Sequence, residues 1–357
     1  MSVPAWAHAR CVLAVRLDTL GDVVMTTPAL RALRTARPDR RVTLLTSSAG
    51  AEAARLVSDV DDVIVYDAPW LKATTSRADS AADRAMADRL RLLRFDGAVI
   101  FTVYSQNPLP AAMLCFLADI PLRLAHCREN PYQLLTDWVS DPEPDRLVRH
   151  EVRRQLDLVE AIGCRTDDER LSLRVTEDHR RSVRGLLDAA GIDRQREWVV
   201  VHPGARAASR RYPPESFASA CRRLVAERGC QVVFTGEASE RTLIAAIRAA
   251  SDAPSISLAG ELGLVELAAL LADASLLISN NTGPVHVAAA VGTPVVDLYA
   301  LTNPQHTPWA VAHRVLSHDV PCKYCYRSVC PAGHHECLRG IPPAAVVSAA
   351  HELLGAR

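Results

Sequence analysis

Residues 275–300 read SLLISNNTGPVHVAAAVGTPVVDLYA, and this stretch decides the fold class. An apolar run at 275–280 ends in polar residues, and Gly283 and Pro284 then turn the chain into the apolar run VHVAAAVG. A second apolar run, at 294–300, follows directly. Short apolar runs on both sides of a helical segment are typical of buried parallel strands joined by a crossover helix. The stretch therefore predicts a strand–helix–strand unit of an α/β fold.

The same alternation of strands and helices extends towards the N-terminus. Apolar runs at 198–204 and 231–236 predict two further strands of the same half of the chain, and a separate series of strands begins with CVLAVRL at 11–17. Two such series predict two Rossmann-like domains whose parallel sheets face each other across a cleft, where ligands bind at the carboxyl ends of strands. We place the first domain at residues 1–180 and the second at 181–341.

The composition limits the class of protein. The chain has 357 residues, 49% of them apolar, which is enough material for two buried cores. Its 41 basic and 41 acidic residues give a formal net charge of zero, which argues against a nucleic-acid-binding protein held by a general basic field. The N-terminus lacks the features of a signal peptide, and no apolar run of about 18 residues is present. We therefore expect a cytoplasmic protein.

The end of the first strand carries the first candidate site. Neither a GxGxxG pattern nor a Walker A motif is present, which disfavours nicotinamide enzymes and P-loop kinases. The strand ends instead in RLDTLGD, where Gly21 allows a tight turn and Asp22 opens a helix. Asp22 could cap that helix, or it could face a cleft and take a proton from a hydroxyl nucleophile. Spacing alone favours the cap.

Two polar motifs follow strands in the second half of the chain. In the first, the glycine turn HPGA precedes Arg206 and Arg210, which suits an anionic ligand, although a solvated loop with ordinary arginines explains it equally well. In the second, SNNTGPVH, Pro284 fits the first turn of a helix whose free N–H groups would hold a diphosphate without a metal ion. Its amides, its hydroxyl and His286 could bond sugar hydroxyls, and so many polar groups between apolar elements favour a functional site.

The motifs RLDTLGDVVMTTPAL, HPGA, SRRYP, GEASE, SNNTGPVHVAAAVGTPVV and LYALTNP together resemble glycosyltransferase family 9, the ADP-heptose:lipopolysaccharide heptosyltransferases. The resemblance extends from Cys11 to about Leu354. It implies a GT-B fold, with the acceptor on the first domain and a nucleotide-sugar donor on the second. It also implies that a C-terminal helix within residues 342–357 crosses back to the first domain.

The activity that the resemblance implies is an inverting, metal-independent transfer that requires no cofactor. A heptose or related sugar would move from a nucleotide diphosphate, expected to be ADP, to a hydroxyl of a glycan, lipid-linked or natural-product acceptor. The expected partners are the donor and this acceptor. At most a peripheral contact with the inner face of the cytoplasmic membrane is expected.

The resemblance also assigns site residues. It makes Asp22 the general base, which overturns the preference for a helix cap, and it places Thr19 and Gly21 in the adjoining turn. No residue is assigned to a metal. The residues implied at the donor site are Arg206, Arg210, Glu240, Leu262, Asn281, Thr282, Gly283 and His286.

Three positions depart from the family's usual pattern. Arg210 stands where lysine is usual, and Asn281 and Asn303 stand where aspartate is usual. Losing both carboxylates would neutralise the donor site. An altered sugar preference, a variation without consequence and a reduced activity all remain open as explanations.

Four of the ten cysteines cluster near the C-terminus, in the spacing Cys322-x2-Cys325-x4-Cys330-x6-Cys337. This cluster has three interpretations: structural thiols or a local disulfide, a structural zinc site, or a redox or metal-cluster role.

Two other functions compete with glycosyl transfer. A nucleotide-sugar epimerase or hydrolase on the same fold would need further acid–base carboxylates beyond Asp22 and Glu240. A non-catalytic sugar-nucleotide-binding protein is favoured only by the two asparagines.

Overall fold

The computed structural model describes residues 3–71, 74–75 and 77–355. Contacts between residues divide the chain into two compact units, Met1–Ser172 and Leu173–Arg357. This division falls a few residues before the predicted boundary at residue 180, because the helix Glu177–Ala189 packs against a helix of the second unit. Each unit contains one six-stranded sheet, in which all the strand pairs are parallel. The predicted α/β class is confirmed.

The first unit begins with a short helix and continues as alternating strands and helices. Its strands are β1 (Cys11–Arg16), β2 (Arg41–Thr46), β3 (Asp62–Val65), β4 (Gly97–Ile100), β5 (Leu122–Cys127) and β6 (Asp137–Ser140). Its helices are α1 (Val3–His8), α2 (Leu20–Ala36), α3 (Ala51–Arg55), α4 (Ala81–Leu93), α5 (Leu109–Leu117) and α6 (Glu151–Glu160). The sheet order is β3-β2-β1-β4-β5-β6, so the order reverses between β1 and β4. Ligands of such sheets bind beyond the carboxyl ends of strands at this point, and RLDTLGD lies there.

The second unit repeats this plan. Its strands are β7 (Trp198–His202), β8 (Gln231–Phe234), β9 (Ser255–Ser257), β10 (Leu276–Asn280), β11 (Val295–Leu298) and β12 (His313–Leu316). Its helices are α7 (Glu177–Ala189), α8 (Pro214–Arg228), α9 (Arg241–Ser251), α10 (Leu264–Asp273), α11 (Gly283–Val291), α12 (Glu336–Arg339) and α13 (Pro343–Gly355). The sheet order is β12-β11-β10-β7-β8-β9, and it reverses between β7 and β10. The HPGA and SNNTGPVH motifs follow these two strands.

The central strands are buried along their whole length, as expected for a parallel sheet covered on both faces. Helix α13 packs onto the second unit, against α8 and the strands β10 to β12. Its apolar residues, which include Val346, Ala350 and Leu353, belong to the core of that unit. The apolar face of α13 is thus used in the core of the second unit. Among the described residues, no helix has both the length and the apolar character needed to cross a membrane.

Candidate functional site

In the first unit, Asp22 lies in the first turn of α2, directly after β1. Its Oδ2 accepts hydrogen bonds from the Thr19 backbone N–H (3.1 Å) and from the Thr19 hydroxyl (2.7 Å). Asp22 therefore caps the helix, as the spacing suggests. The Asp22 side chain is still 17% exposed, whereas Gly21 beside it is buried. The two hydrogen bonds from Thr19 occupy Asp22 Oδ2. Any further chemistry of Asp22 therefore depends on the surroundings of Oδ1.

Asp22 Oδ1 belongs to a cluster of three carboxylates around one buried arginine. Arg16 is fully buried at the end of β1, and its Nη2 lies 3.3 Å from Asp22 Oδ1 and 2.9 Å from Glu151 Oε1. Its Nε lies 3.0 Å from Asp18 Oδ2. Glu151 comes from the start of α6, far away in sequence, and Gln155 donates a second hydrogen bond (2.6 Å) to the same Oε1.

Burial and charge act in opposite directions on this cluster. Burial alone would lower the pKa of Arg16, but the three carboxylates raise it above its usual value, so the guanidinium stays charged. Burial raises the pKa of Asp18 and of Glu151, and the charge on Asp22 raises both further, while Arg16 lowers them. Three acids thus share one cation, and Asp18 and Glu151 hold their protons more tightly than isolated carboxylates do.

In the second unit, Asn280 at the end of β10 joins two loops of the site. Its Oδ1 accepts a hydrogen bond from the Tyr212 backbone N–H (3.0 Å), and its Nδ2 donates one to the Pro203 carbonyl (2.7 Å). Asn280 is fully buried. Its amide therefore holds the turn after β7 in place, and it is not one of the amides that can bond a sugar.

Glu240 covers the glycine turns after β7 and β8. A Cβ at Gly204 would overlap the Glu240 carboxylate, and a Cβ at Gly236 would lie 2.8 Å from its Oε2. The same Oε2 accepts a hydrogen bond from the Glu237 backbone N–H (2.8 Å), and burial raises the pKa of Glu240. The Glu240 carboxylate occupies the space that a side chain at position 204 would take. Gly204 therefore allows Glu240 to pack against the turn after β7.

We expect Gly204→Ala to displace the Glu240 carboxylate rather than the backbone, since the obstructing group is the flexible end of a side chain. The variant should fold, lose less than about 1 kcal/mol of unfolding free energy, and bind a nucleotide less tightly. Isothermal titration with ADP measures the change. Gly185→Ala is the matched control, because a Cβ there meets no atom within 4 Å. Equal ADP affinity in the Gly204 variant and the wild type would remove Glu240 from the nucleotide site.

The N-terminus of α11 lies at the carboxyl edge of the second sheet. Thr282 is the N-cap residue, but its hydroxyl donates back to the Asn280 carbonyl (3.2 Å) and makes no capping hydrogen bond. Gly283 and Pro284 form the first turn, and His286 in the next turn is buried. A helix N-terminus without a side-chain cap presents N–H groups and a partial positive charge, which suits an anion.

The predicted cationic residues lie in the loop between β7 and α8. Arg210 ends a short 3-10 turn and is half-buried, whereas Arg206 is exposed. Neither forms an ion pair with any residue in the part of the chain that the structure describes. The Arg210 loop follows β7 and α11 follows β10, and these neighbouring parallel strands end at the same edge of the sheet. The Arg210 charge also lowers the pKa of Asp297 on β11. Leu262 is half-buried in the loop before α10.

Asn281 lies against a buried carboxyl group of the neighbouring strand β11. Its Nδ2 donates hydrogen bonds to Asp297 Oδ2 (2.9 Å) and to the His306 carbonyl (2.9 Å). Asp297 is fully buried, and burial raises its pKa to about 8, although Asn281 and Arg210 act to lower it. Its Oδ1 is buried and has no hydrogen-bond partner among the described residues. The acid is therefore mostly protonated at neutral pH.

Asn303 belongs to the same buried network. Its Nδ2 lies 3.0 Å from His306 Nδ1, and its carbonyl accepts a hydrogen bond from the Tyr299 hydroxyl (2.7 Å). The two asparagines thus meet at His306, with Asp297 beside them. Asp297 thus places a buried carboxyl group from the neighbouring strand next to Asn281.

We expect Asn281→Asp to destabilise the protein by about 2 kcal/mol, because it replaces the amide that donates to Asp297 by a second buried carboxyl group. The loss should grow as the pH rises from about 4 towards 8, because two adjacent acids can share a proton only at low pH. Denaturant unfolding at several pH values measures it.

The double variant Asn281→Asp/Asp297→Asn restores one amide and one carboxyl group, and it should recover most of that stability. Strictly additive effects of the two substitutions would contradict the pairing.

The four C-terminal cysteines line one small pocket together with His334 and His335. All ten cysteines are unbonded, and Cys322 Sγ lies 3.5 Å from His334 Nε2. Burial alone would raise the pKa of Cys330, but backbone N–H groups of the following turn lower it below the usual value. Among the described residues, no three His, Cys, Asp or Glu side chains are arranged to hold a metal ion.

Sequence reasoning assigned no role to four ionisable residues of these sites, Arg16, Asp18, Glu151 and Asp297. Asp297 was visible as a lone carboxylate within the apolar run PVVDLYA, which is an unusual place for an acid without a function. Arg16 was visible at the end of an apolar strand. Glu151 gave no signal, because it reaches the cluster only through the packing of α6 against α2.

Comparisons with known proteins agree with this architecture. A model of glycosyltransferase family 9 (heptosyltransferase) matches residues 84–335. The lipopolysaccharide heptosyltransferase 2 of Salmonella typhimurium is 26% identical over 358 aligned positions, which cover 96% of this chain and 98% of that enzyme. The enzyme of the same name from Escherichia coli is also 26% identical, over the same shares of both chains.

Two solved structures share the fold over nearly the whole chain. A family 9 glycosyltransferase from Veillonella parvula superposes with a TM-score of 0.80 at 22% identity and covers 98% of both chains. The ADP-heptose lipopolysaccharide heptosyltransferase II of Escherichia coli has a TM-score of 0.75 at 24% identity and covers 97% of this chain and 98% of that one. The predicted GT-B fold class is confirmed by this likeness.

Proposed function

Because the chain belongs to glycosyltransferase family 9, we propose that it transfers a heptose or a related sugar from an ADP-linked donor to a hydroxyl group of an acceptor, with inversion at the anomeric carbon. One observation carries the proposal. At the carboxyl edge of the second sheet, an uncapped helix N-terminus and the unpaired charge of Arg210 together suit an anionic ligand. A nucleotide diphosphate is such a ligand.

The first unit supplies the base. Asp22 takes the proton from the acceptor hydroxyl as its oxygen attacks the anomeric carbon. The bond from the anomeric carbon to the diphosphate oxygen breaks at the same time, and its electron pair leaves with the diphosphate. One direct displacement inverts the configuration at that carbon. The partial exposure of Asp22 supports this role, since a base must reach its substrate.

The second unit stabilises the leaving group. Negative charge accumulates on the diphosphate as the sugar departs, and Arg210 and the N–H groups after Gly283 meet that charge without further rearrangement. Arg206 contributes from the exposed part of the same loop. These groups supply the positive charge that a metal ion would otherwise provide, so we propose a transfer without metal or other cofactor.

The donor sugar contacts come from the turn between β10 and α11. We propose that Thr282 and His286 bond sugar hydroxyls and that Glu240 and Leu262 lie by the nucleotide. Asn281 remains a proposed donor-site residue, although its Nδ2 is already bonded inside the protein to Asp297 and to the His306 carbonyl. The named relatives act on lipopolysaccharide, and we propose a related glycan or lipid-linked acceptor, met in the cytoplasm or at the inner face of its membrane.

The test is release of ADP from ADP-heptose with and without a heptose-accepting lipopolysaccharide core oligosaccharide. The proposal predicts release only when the acceptor is present. Release without acceptor would indicate a hydrolase, and conversion of the donor sugar without release would indicate an epimerase. Tight donor binding without turnover across a panel of glycan acceptors would indicate a non-catalytic binding protein.

A further inference from the structure

Arg16, the cation next to Asp22, is shared between Asp22 and two other carboxylates. A guanidinium that faced Asp22 alone would stabilise the ionised form of that carboxylate and make it a poor proton acceptor. Here, however, Nη2 approaches Glu151 (2.9 Å) more closely than Asp22 (3.3 Å), and Nε faces Asp18.

We propose that Glu151 and Asp18 are positioning residues, which share the Arg16 guanidinium with Asp22 and place negative charge beside it, so that Asp22 is a stronger base than its arginine neighbour alone would allow. This inference rests on the proposed role of Asp22 as the general base. It adds residues from α6 and from the β1–α2 turn that act on the reaction only through Arg16.

The surroundings of Glu151 restrict its side chain to contacts inside the protein. Its side chain is 1% exposed, so it meets neither solvent nor a substrate directly. Gln155 donates to the same Oε1 that faces Arg16, and the Gln155 amide also donates to the Thr102 carbonyl (3.1 Å). Asp18 is held in a similar way, because Gln106 donates to its Oδ1 while Oδ2 faces Arg16. Each acid is thus fixed by a glutamine on one side and by Arg16 on the other.

The electrostatic influence runs in both directions. The charge on Asp22 raises the pKa of Asp18 and of Glu151. Interaction energies between titrating groups are reciprocal, so charge on either acid raises the proton affinity of Asp22 by the same amount. Arg16 lowers that affinity. Two acids opposing one cation leave Asp22 more basic than a simple Arg–Asp pair would be.

The secondary-structure elements packed against α2 carry further charged residues. Arg154, one turn further along α6, lowers the pKa of Glu151. The charged residues of α3 and the first residue of β2 are exposed: Glu52, Arg55 and Arg41. Arg16, Asp18, Glu151 and Arg154 are therefore the groups whose substitution should change the pH dependence of Asp22.

The test is the pH profile of kcat/KM for Glu151→Gln. Gln keeps an oxygen for Arg16 and Gln155 but removes the charge, so we expect the acidic limb to move to lower pH by about 0.5–1 unit and kcat to fall by about three- to tenfold, as for a weaker base. Glu151→Asp keeps the charge, and its limb should return towards that of the wild type. A merely structural role would lower the rate at every pH and leave the limb where it was.

Two further variants make the test independent of the folding of Glu151→Gln. Asp18 is 13% exposed in a turn, so Asp18→Asn should fold, and it should move the limb in the same direction. Glu143→Gln is the matched control, because Glu143 is a buried acid of the same unit that pairs with Arg149 and Arg154 instead of Arg16. Its acidic limb should stay in place.

An unmoved limb in Asp18→Asn, or in a folded Glu151→Gln, would overturn the inference while leaving Asp22 as the base. If Asp22→Asn kept full turnover, the proposed function itself would fail, and the two failures are therefore distinguishable.

Discussion

Asp22→Asn should reduce kcat by about 10²–10⁴-fold, the range expected when a general base is removed. The substitution keeps an oxygen for the Thr19 N–H and hydroxyl, so the helix cap survives. Arg16 keeps its contacts with Asp18 and Glu151, so no buried cation is left alone. The substitution removes the proton acceptor together with the contact between Asp22 Oδ1 and Arg16 Nη2. Steady-state rates with saturating donor and acceptor measure the effect.

Donor affinity separates loss of the base from damage to the fold. ADP should bind the variant within about twofold of the wild type, since the residues proposed for the donor lie in the second unit. Asp83→Asn is the matched control, because Asp83 also lies in the first turn of a helix of the first unit, where it accepts a hydrogen bond from the Tyr66 hydroxyl (2.8 Å). Its rate should stay near that of the wild type. Full turnover of Asp22→Asn would refute the assignment of the base.

Arg210→Gln should lower kcat by about 10²–10³-fold, because removing one preorganised group that meets charge developing in the transition state typically has this effect. The effect on kcat should exceed the effect on donor affinity, since the charge on the diphosphate grows as the sugar leaves. Arg206→Gln, at an exposed position of the same loop, should have a smaller effect, below about tenfold. Rates under donor saturation, together with ADP titrations, separate the two quantities.

Arg222→Gln is the matched control for this loop, because Arg222 is exposed on α8. It should leave kcat and donor affinity unchanged. Equal losses of kcat in the Arg206 and Arg210 variants would mean that the half-buried position of Arg210 confers no special role. An unchanged kcat in Arg210→Gln would show that Arg210 does not stabilise the leaving group.

The sequence predicted the fold because the signals for it are local. Apolar runs mark the strands β1, β7 and β10, and the glycine and polar residues that follow them mark the edge of each sheet where ligands bind. The candidate residues Asp22, Arg210 and Thr282 lie in these turns, so a reading along the chain could find them.

The rest depended on contacts between distant segments. Glu151 reaches Arg16 across 135 residues of sequence, and no local pattern indicates that meeting. The partner of Asn281 is likewise on the neighbouring strand, so the sequence shows a lost carboxylate where the structure shows an amide bonded to Asp297.

The configuration of the product tests the central claim, which is a single displacement by an acceptor hydroxyl that Asp22 deprotonates. The glycosidic linkage formed from ADP-heptose should be isolated, and its anomeric configuration should be read from the one-bond carbon–proton coupling in an NMR spectrum. The account predicts that the configuration is inverted relative to the donor. Retained configuration would require a covalent glycosyl intermediate or attack from the face of the leaving group, and it would contradict the account.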